Sequence, residues 1–395
     1  MKSLNFNGTG LEYFKIWIVN ILLVIVTLGL YYPWAKVRNN RYFYANSTLE
    51  DRNFDYHATG KQLFLGYLIA MALFLLYVVI QQVSPAGSGI VFLLFMIALP
   101  WIVWRSLKFN MRITSFSNVR FSFEGQLGGA YFNFLLLPFI FIVLLYSIPI
   151  LLTFGLAKAA GSIATQTILV VVSLLLAGLA VYMLGVLKKK NTSYFLNSTR
   201  YGQGQFSTEL EATKFMKISF KTIGLFLVAV LACLIIVSAF TMTSGTSSPL
   251  AGLAGKFGDP EVMQEIFGNP SVLFAIGSIY IGLLLISVLV FSYSFARQRS
   301  YIYANSKLDN KISFASTLKA RSMAWVSFTN LLAVIFSLGL AIPWAKVRVA
   351  RLLLENTLVD TSVGFEEYVT QQQAEQSSLG EQIGDAFDVD MGISI

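Results

Sequence analysis

Residues able to do chemistry are scarce in this chain of 395. The single histidine, His57, follows Asp55 and Tyr56 in a strand-like piece, with no cysteine near it. A general base there would lack the partner that orients it, so His57 reads as a packing or surface residue. The single cysteine, Cys233, falls inside an apolar run, which leaves no disulfide framework and no thiolate metal site. Gly8-Thr9-Gly10 is too short for a phosphate loop. The residues therefore mark no enzyme and imply no cofactor and no metal. Two sets of candidates remain. Asn20 and Asn330 lie inside apolar runs at an offset of 330 − 20 = 310 residues. Such a polar pair at depth would coordinate a polar solute or an ion, or else join helices through hydrogen bonds of about 0.6–2 kcal/mol each. The second set is Pro33, Trp34, Lys36, Arg38 and Arg41, repeated as Pro343, Trp344, Lys346, Arg348 and Arg351. These residues would hold anionic lipid headgroups, at about 1 kcal/mol per basic residue near the surface, or fix topology with the indoles as interfacial anchors.

The elements that position them belong to a membrane. Hydrophobic residues make up 56% of the chain and charged ones only 12%, too apolar for a soluble globular protein. The net charge of +9 is segregated: residues 1–358 carry 29 − 12 = +17, and the tail from Asp360 carries −8. The basic residues flank apolar runs instead of forming a solvated patch, which argues against nucleic acid and for the positive-inside rule. Membrane lipids, anionic headgroups among them, are the expected partners. No Asp or Glu stands at the centre of any run, which counts against a coupled proton or sodium transporter.

Repeats organise the chain. Leu28-Gly-Leu-Tyr-Tyr-Pro33-Trp-Ala-Lys-Val-Arg38 returns as Leu338-Gly-Leu-Ala-Ile-Pro343-Trp-Ala-Lys-Val-Arg348. Pro100-Trp101 followed by Arg105 and Lys108 repeats the same exit from the membrane. Five units emerge, each with a strand-like lead-in, an apolar segment or segments, a basic exit helix and usually Asn-Ser/Thr. The lead-ins include Phe54-Asp-Tyr56, Phe121-Ser-Phe123, Phe206-Ser-Thr208 and Ile312-Ser-Phe314. The expected fold is an all-α, polytopic helical bundle: three helical hairpins plus two end elements, with small strand-like cytoplasmic pieces. Its single membrane domain, 1–358, has apolar runs at about 14–32, 63–83, 88–105, 131–156, 167–187, 218–242, 272–295 and 324–343. An acidic, solvated cytoplasmic tail occupies 359–395, and a loop at 243–270 carries a short helix from Pro260 to Phe267. The end units, with one run each, dip in from the cytoplasm and return near Leu28-Gly29 and Leu338-Gly339, because a full span in the last unit would put Arg348 and Arg351 outside.

From Gly8-Thr-Gly-Leu-Glu-Tyr-Phe-Lys-Ile-Trp-Ile-Val-Asn20 through the Pro33-Trp34 phrase to Arg41-Tyr-Phe-Tyr-Ala-Asn46-Ser-Thr48, with Phe54-Asp-Tyr56-His57 and Gly384-Asp-Ala-Phe387-Asp-Val-Asp390, the chain resembles the YjgN family of bacterial inner-membrane proteins. The resemblance covers essentially the whole chain. It implies a multi-pass inner-membrane protein of a Gram-negative bacterium and no assigned activity. As a function, a carrier or channel for a small polar or amphipathic solute suits an internally repeated bundle. The alternatives are a lipid-binding or membrane-organising protein, and an interaction subunit of a membrane complex. With Cys233 changed to serine, single cysteines at Ser3 and Ser377 are expected to label in inverted vesicles and not in intact cells; labelling from outside would mean eight plain spans.

Overall fold

The computed structural model describes residues 1–156, 163–243, 268, 270–361 and 364–374. The 243–270 loop with its expected helix, and the tail beyond 374 with Ser377, therefore lie almost wholly outside the described residues. In chain order the elements are β1 (Lys2–Ser3), β2 (Asn5–Phe6), α1 (Gly10–Val26), α2 (Tyr32–Ala45), β3 (Ser47–Leu49), β4 (Arg52–Tyr56), α3 (Gly60–Val83), α4 (Pro85–Arg112), β5 (Thr114–Phe116) and β6 (Val119–Phe123). Next come α5 (Leu127–Tyr131), a π-turn (Phe132–Leu136), α6 (Leu137–Leu156), α7 (Ile163–Asn197), β7 (Thr199–Tyr201), β8 (Gly204–Thr208), α8 (Ala212–Thr243) and α9 (Pro270–Ala304). The chain continues through β9 (Ser306–Leu308), β10 (Ile312–Ser316), α10 (Ala320–Phe336), α11 (Ile342–Glu355) and β11 (Thr357–Val359), and α12 covers 365–374.

The strand-like pieces are not small independent lead-ins, and the expectation of an all-α bundle is overturned. All the strands join one antiparallel sheet of 11, ordered β1-β11-β10-β9-β8-β7-β6-β5-β4-β3-β2. Its two ends, β1 and β2, are successive pieces of one segment bent at Leu4. Lys2 and Ser3 pair with Val359 and Leu358, and Asn5 and Phe6 pair with Thr48 and Ser47. The sheet is thus a nearly closed barrel. Each strand is two to five residues long, and each from β3 to β11 has one partner within its own repeat, as β4 with β5, and one in a neighbouring repeat, as β3 with β4.

Turns and junctions repeat with the sheet. Three hairpins turn through Glu50-Asp51, Ser117-Asn118 and Asp309-Asn310, all at positive φ, and the fourth through Gly202. This left-handed pair matches the twist of the flanking strands. At every helix-to-strand junction a hydroxyl donates to the carbonyl four residues back: Ser47 to Phe43, Thr114 to Asn110, Thr199 to Phe195, Ser306 to Ile302 and Thr357 to Leu353. Asn46, Asn305 and Asn356 do the same with their amides. Asn-Ser/Thr is therefore a helix-ending device. Asn197 stands one residue early and instead accepts from the Thr208 N–H, at 2.7 Å.

The described residues fall into two compact units, 1–216 with 299–318 and 333–395, and 217–298 with 319–332. The first contains the whole sheet. In the second, α8 and α9 approach closely where Cys233 meets Gly282, a position with no room for a Cβ.

Six helices among the described residues are long and apolar enough to cross a membrane, and all belong to the three hairpins. α7 and α9 have 35 residues each, about 52 Å of helix, against a hydrocarbon layer of about 30 Å. The excess brings the chain to the sheet. α4 likewise continues through Pro100, so Pro100-Trp101 begins no new helix, unlike Pro33 and Pro343, which open α2 and α11.

The end units are short. α1 and α10 have 17 residues each. α1 starts with a capping box in which Thr9 Oγ1 accepts from the Glu12 N–H and Glu12 accepts from the Thr9 N–H, both at 3.3 Å. It ends in a Schellman turn: the Gly29 N–H donates to the Val24 carbonyl and the Leu28 N–H to that of Ile25. The turn after α10 repeats both bonds through Gly339 and Leu338. Leu28 (φ 50°) and Leu338 (φ 52°) occupy a position usually held by glycine, and they are 93% and 95% exposed. The first tip reaches only to Tyr67, whose ring lies 5.9 Å from that of Tyr32. Tyr67 stands seven residues after Gly60, about 10 Å along α3.

Neighbouring repeats interlock through glycine and tryptophan. The Trp34 indole covers Gly60, and the Trp344 indole covers Gly10, leaving no room for a Cβ at either. Gly60→Ala is expected to lower stability by about 1–3 kcal/mol, read as a fall in unfolding temperature in micelles, with partial recovery when Trp34→Phe is added. Leu28→Gly should raise stability in micelles by up to about 1 kcal/mol, read in the same assay; a loss there would show that the side chain packs on the protein.

Candidate functional site: the interfacial collar and the sheet lumen

α2 and α11 form a collar with the first turns of the helices they pack on, α3 and α1. Pro33 and Pro343 are buried at the helix starts. Trp34 lies 5.0 Å from the Phe64 ring and 6.0 Å from that of Tyr31, and Trp344 lies 5.1 Å from Phe14. Arg41 and Arg351 are ties: Arg41 donates to the Ala58 carbonyl at 3.4 Å and Arg351 to that of Gly8 at 3.1 Å. Both carbonyls lie in the loop that leads into the next repeat, so the last repeat holds the first as the first holds the second. Lys36, Arg38, Lys346 and Arg348 are exposed, and Lys346 stands over the Tyr13 ring at 6.0 Å.

Asn20 is buried, and its amide is engaged within its own hairpin. Its Nδ2 donates to Asn39 Oδ1 at 3.1 Å, and its Oδ1 accepts from Arg38 at 3.4 Å. Arg38 also donates to the Tyr31 hydroxyl at 3.3 Å. Asn330 is buried on α10, in the other compact unit. His57 is bonded to the buried Ser115 hydroxyl at 2.7 Å, a packing contact between β5 and the residue after β4.

The second feature is the inside of the sheet. Alternation turns every second residue inward, and two sets of five equivalent positions meet there. Leu4, Phe54, Phe121, Phe206 and Phe314 come from the strands that lead into helices, and Leu49, Phe116, Tyr201, Leu308 and Val359 from those that follow them. They enclose an apolar cavity of about 430 Å³. The rings are neighbours along the wall: Phe54 to Phe116 at 4.7 Å, Phe121 to Tyr201 at 5.2 Å and Phe206 to Phe314 at 5.8 Å. Burial pushes the Tyr201 phenol up from its ordinary pKa, so it stays neutral. At the helix end, Thr192, Phe195 and Leu196 of α7 and Ile302 and Tyr303 of α9 line the mouth.

The other mouth is stoppered. α12 places Phe365, Tyr368 and Val369 in the core of the sheet. It bonds three hairpin turns: the Tyr368 hydroxyl donates to Asp309 at 2.6 Å, Gln372 Oε1 accepts from the Gln203 N–H at 2.6 Å, and Gln373 donates to the Ser117 carbonyl at 2.6 Å. Composition suggested only a solvated tail here. None of the lumen residues was among the sequence candidates, although Phe54, Phe121, Phe206 and Phe314 recur at the same place in four lead-ins.

Comparison with known proteins follows the whole chain. The "Inner membrane protein YjgN" of Salmonella typhimurium (strain LT2) is 26% identical over 382 residues, 95% of this chain and 93% of that protein. The proteins of the same name from Escherichia coli O157:H7 and Escherichia coli K12 are 26% and 29% identical, over 87% and 54% of this chain and 85% and 54% of their own lengths. No solved structure matches. Six spanning helices and these relatives make the chain a multi-pass inner-membrane protein. The family described as bacterial protein of unknown function (DUF898) matches residues 1–386, and the chain belongs to it.

Proposed function

We propose that this inner-membrane protein handles lipid from the cytoplasmic leaflet. The observation that carries the reading is the depth of the first end hairpin, whose tip meets α3 only about two turns in. Leu28 then sits among acyl chains while Lys36 and Arg38, about one and two turns back along α2, lie at headgroup level. The last hairpin repeats the leucine turn and the basic pair, Lys346 and Arg348. A left-handed leucine costs backbone energy that a glycine would not, and its retention at both tips supports a use for the exposed side chain.

The basic residues of the sheet-side loops support a cytoplasmic collar by the positive-inside rule. There each basic residue would contribute about 1 kcal/mol toward an anionic surface. The carrier reading has less support, because the Asn20 amide is taken up by Asn39 and Arg38 and offers little to a passing solute.

The test is the lipid that accompanies the protein extracted in polymer nanodiscs. The intact protein should show anionic phospholipid enriched over the bulk membrane, and the variant Lys36→Gln/Arg38→Gln/Lys346→Gln/Arg348→Gln should return to the bulk ratio. A bulk ratio in the unaltered protein, or enrichment unchanged in the variant, would sink the proposal.

A further inference from the structure

We infer that the lumen of the sheet is a binding site for one alkyl chain of an anionic amphiphile, taken from the bilayer side, with its headgroup at Arg299. The inference deepens the lipid-handling reading and rests on it. The cavity of about 430 Å³ is of the size that ligand sites have. Four of its six hydroxyls are already engaged: Ser306 with the Ile302 carbonyl, Thr357 with that of Leu353, Tyr201 with that of Phe116, and Tyr368 with Asp309. Water in such a space would find few partners, and a polar solute would lose its own. A hydrocarbon chain loses nothing.

Access and charge specify the rest. α12 closes the turn end through its bonds to the Ser117, Gln203 and Asp309 turns, so a chain enters from the helix end. That end is bounded by Phe195 and Leu196, which lie about two turns of α7 beyond Lys188-Lys189-Lys190. A lipid in the adjoining leaflet needs to rise by only about 10 Å to place its tail in the mouth. Arg299 waits beside it. Its guanidinium stands 4.4 Å over the ring of Tyr303 and donates to Thr357 Oγ1 at 2.6 Å, and both of those residues line the cavity. The Arg299 Nε–H is buried and has no acceptor. Arg299 is a half-buried residue whose Nη2 also reaches the Leu353 carbonyl at 3.3 Å, and its unpaired Nε–H, behind two residues that line the bore, suits a carboxylate or phosphate oxygen. Arg52 also leaves a buried nitrogen unpaired, but it belongs to the stoppered turn end and serves as the comparison.

The experiment uses the full chain in nanodiscs with a photoreactive diazirine in the alkyl chain, delivered as a free fatty acid, as an acyl chain of phosphatidylglycerol, or as an uncharged fatty alcohol. Expected are adducts on the strand peptides carrying Phe121, Phe206 and Phe314, besides those on the lipid faces of the spanning helices. Leu308→Trp should fill the bore and cut strand adducts at least fivefold with helix adducts unchanged; Leu49→Trp, on another strand, does the same if the first variant misfolds. Arg299→Gln should lower strand adducts severalfold for the acid or the phospholipid and leave the alcohol unaffected, while Arg52→Gln changes none of them. Whichever charged probe labels the strands identifies the source of the chain. Adducts confined to the helices, or strand adducts indifferent to both tryptophan variants, would overturn the inference. Because enrichment of anionic lipid is read separately, an empty lumen with enrichment intact removes this site alone.

Discussion

Everything in this structure depends on closing a sheet made of strands too short to stand alone. A strand of two to five residues leaves N–H and C=O groups along both edges, and a single hairpin of that size is marginal in water. Four consecutive hairpins side by side still leave two open edges. β11 covers the β10 edge, and residues 2–6 close what remains, bending at Leu4 so that β1 pairs with β11 and β2 with β3. Lys2 fastens the seam by an ion pair with Glu50, and that hydrogen-bonded ammonium holds the Glu50 carboxyl below the usual carboxylate range. Lys2 is largely exposed and Glu50 only partly, so solvent at the lysine end limits what the pair adds to stability beyond fixing register.

Closure dictates what the helices can do. Each helical excursion leaves from one strand and leads back to the next, so the chain must reverse direction on the far side. Three excursions do so as pairs of spans. The first and last have helices of 17 residues and reverse at a Schellman turn with leucine in the left-handed region. Closure also makes the first repeat a neighbour of the last. The contact of Trp344 with Gly10 is therefore the same contact as that of Trp34 with Gly60, although one joins residues more than 300 positions apart. A pleated wall that closes on itself has an inside, and one apolar position per strand is enough to line it.

Much was legible beforehand. Composition and segregated charge identified a membrane protein, because apolar runs of spanning length have no other stable home. The copied phrases exposed the repeats. Not legible was the Thr-Gly start of α1 and α3, where the glycine is required by a tryptophan in the preceding repeat, a neighbour that spacing within one repeat cannot reveal.

What sequence alone determined about this protein is therefore local and periodic: where the apolar runs lie, how charge is segregated along the chain, how many times the pattern recurs. Tertiary structure decided the rest. Strand pairing is a non-local choice, so Phe54 and Phe206 look like lead-ins until their strands stand in one wall and turn both rings inward. The ionic role of Arg41 and Arg351 was likewise narrowed by position, since each donates to a carbonyl of the following repeat. Nor could the acidic composition of the tail show that 365–374 fits the mouth of a barrel, because that mouth exists only once the strands have closed it.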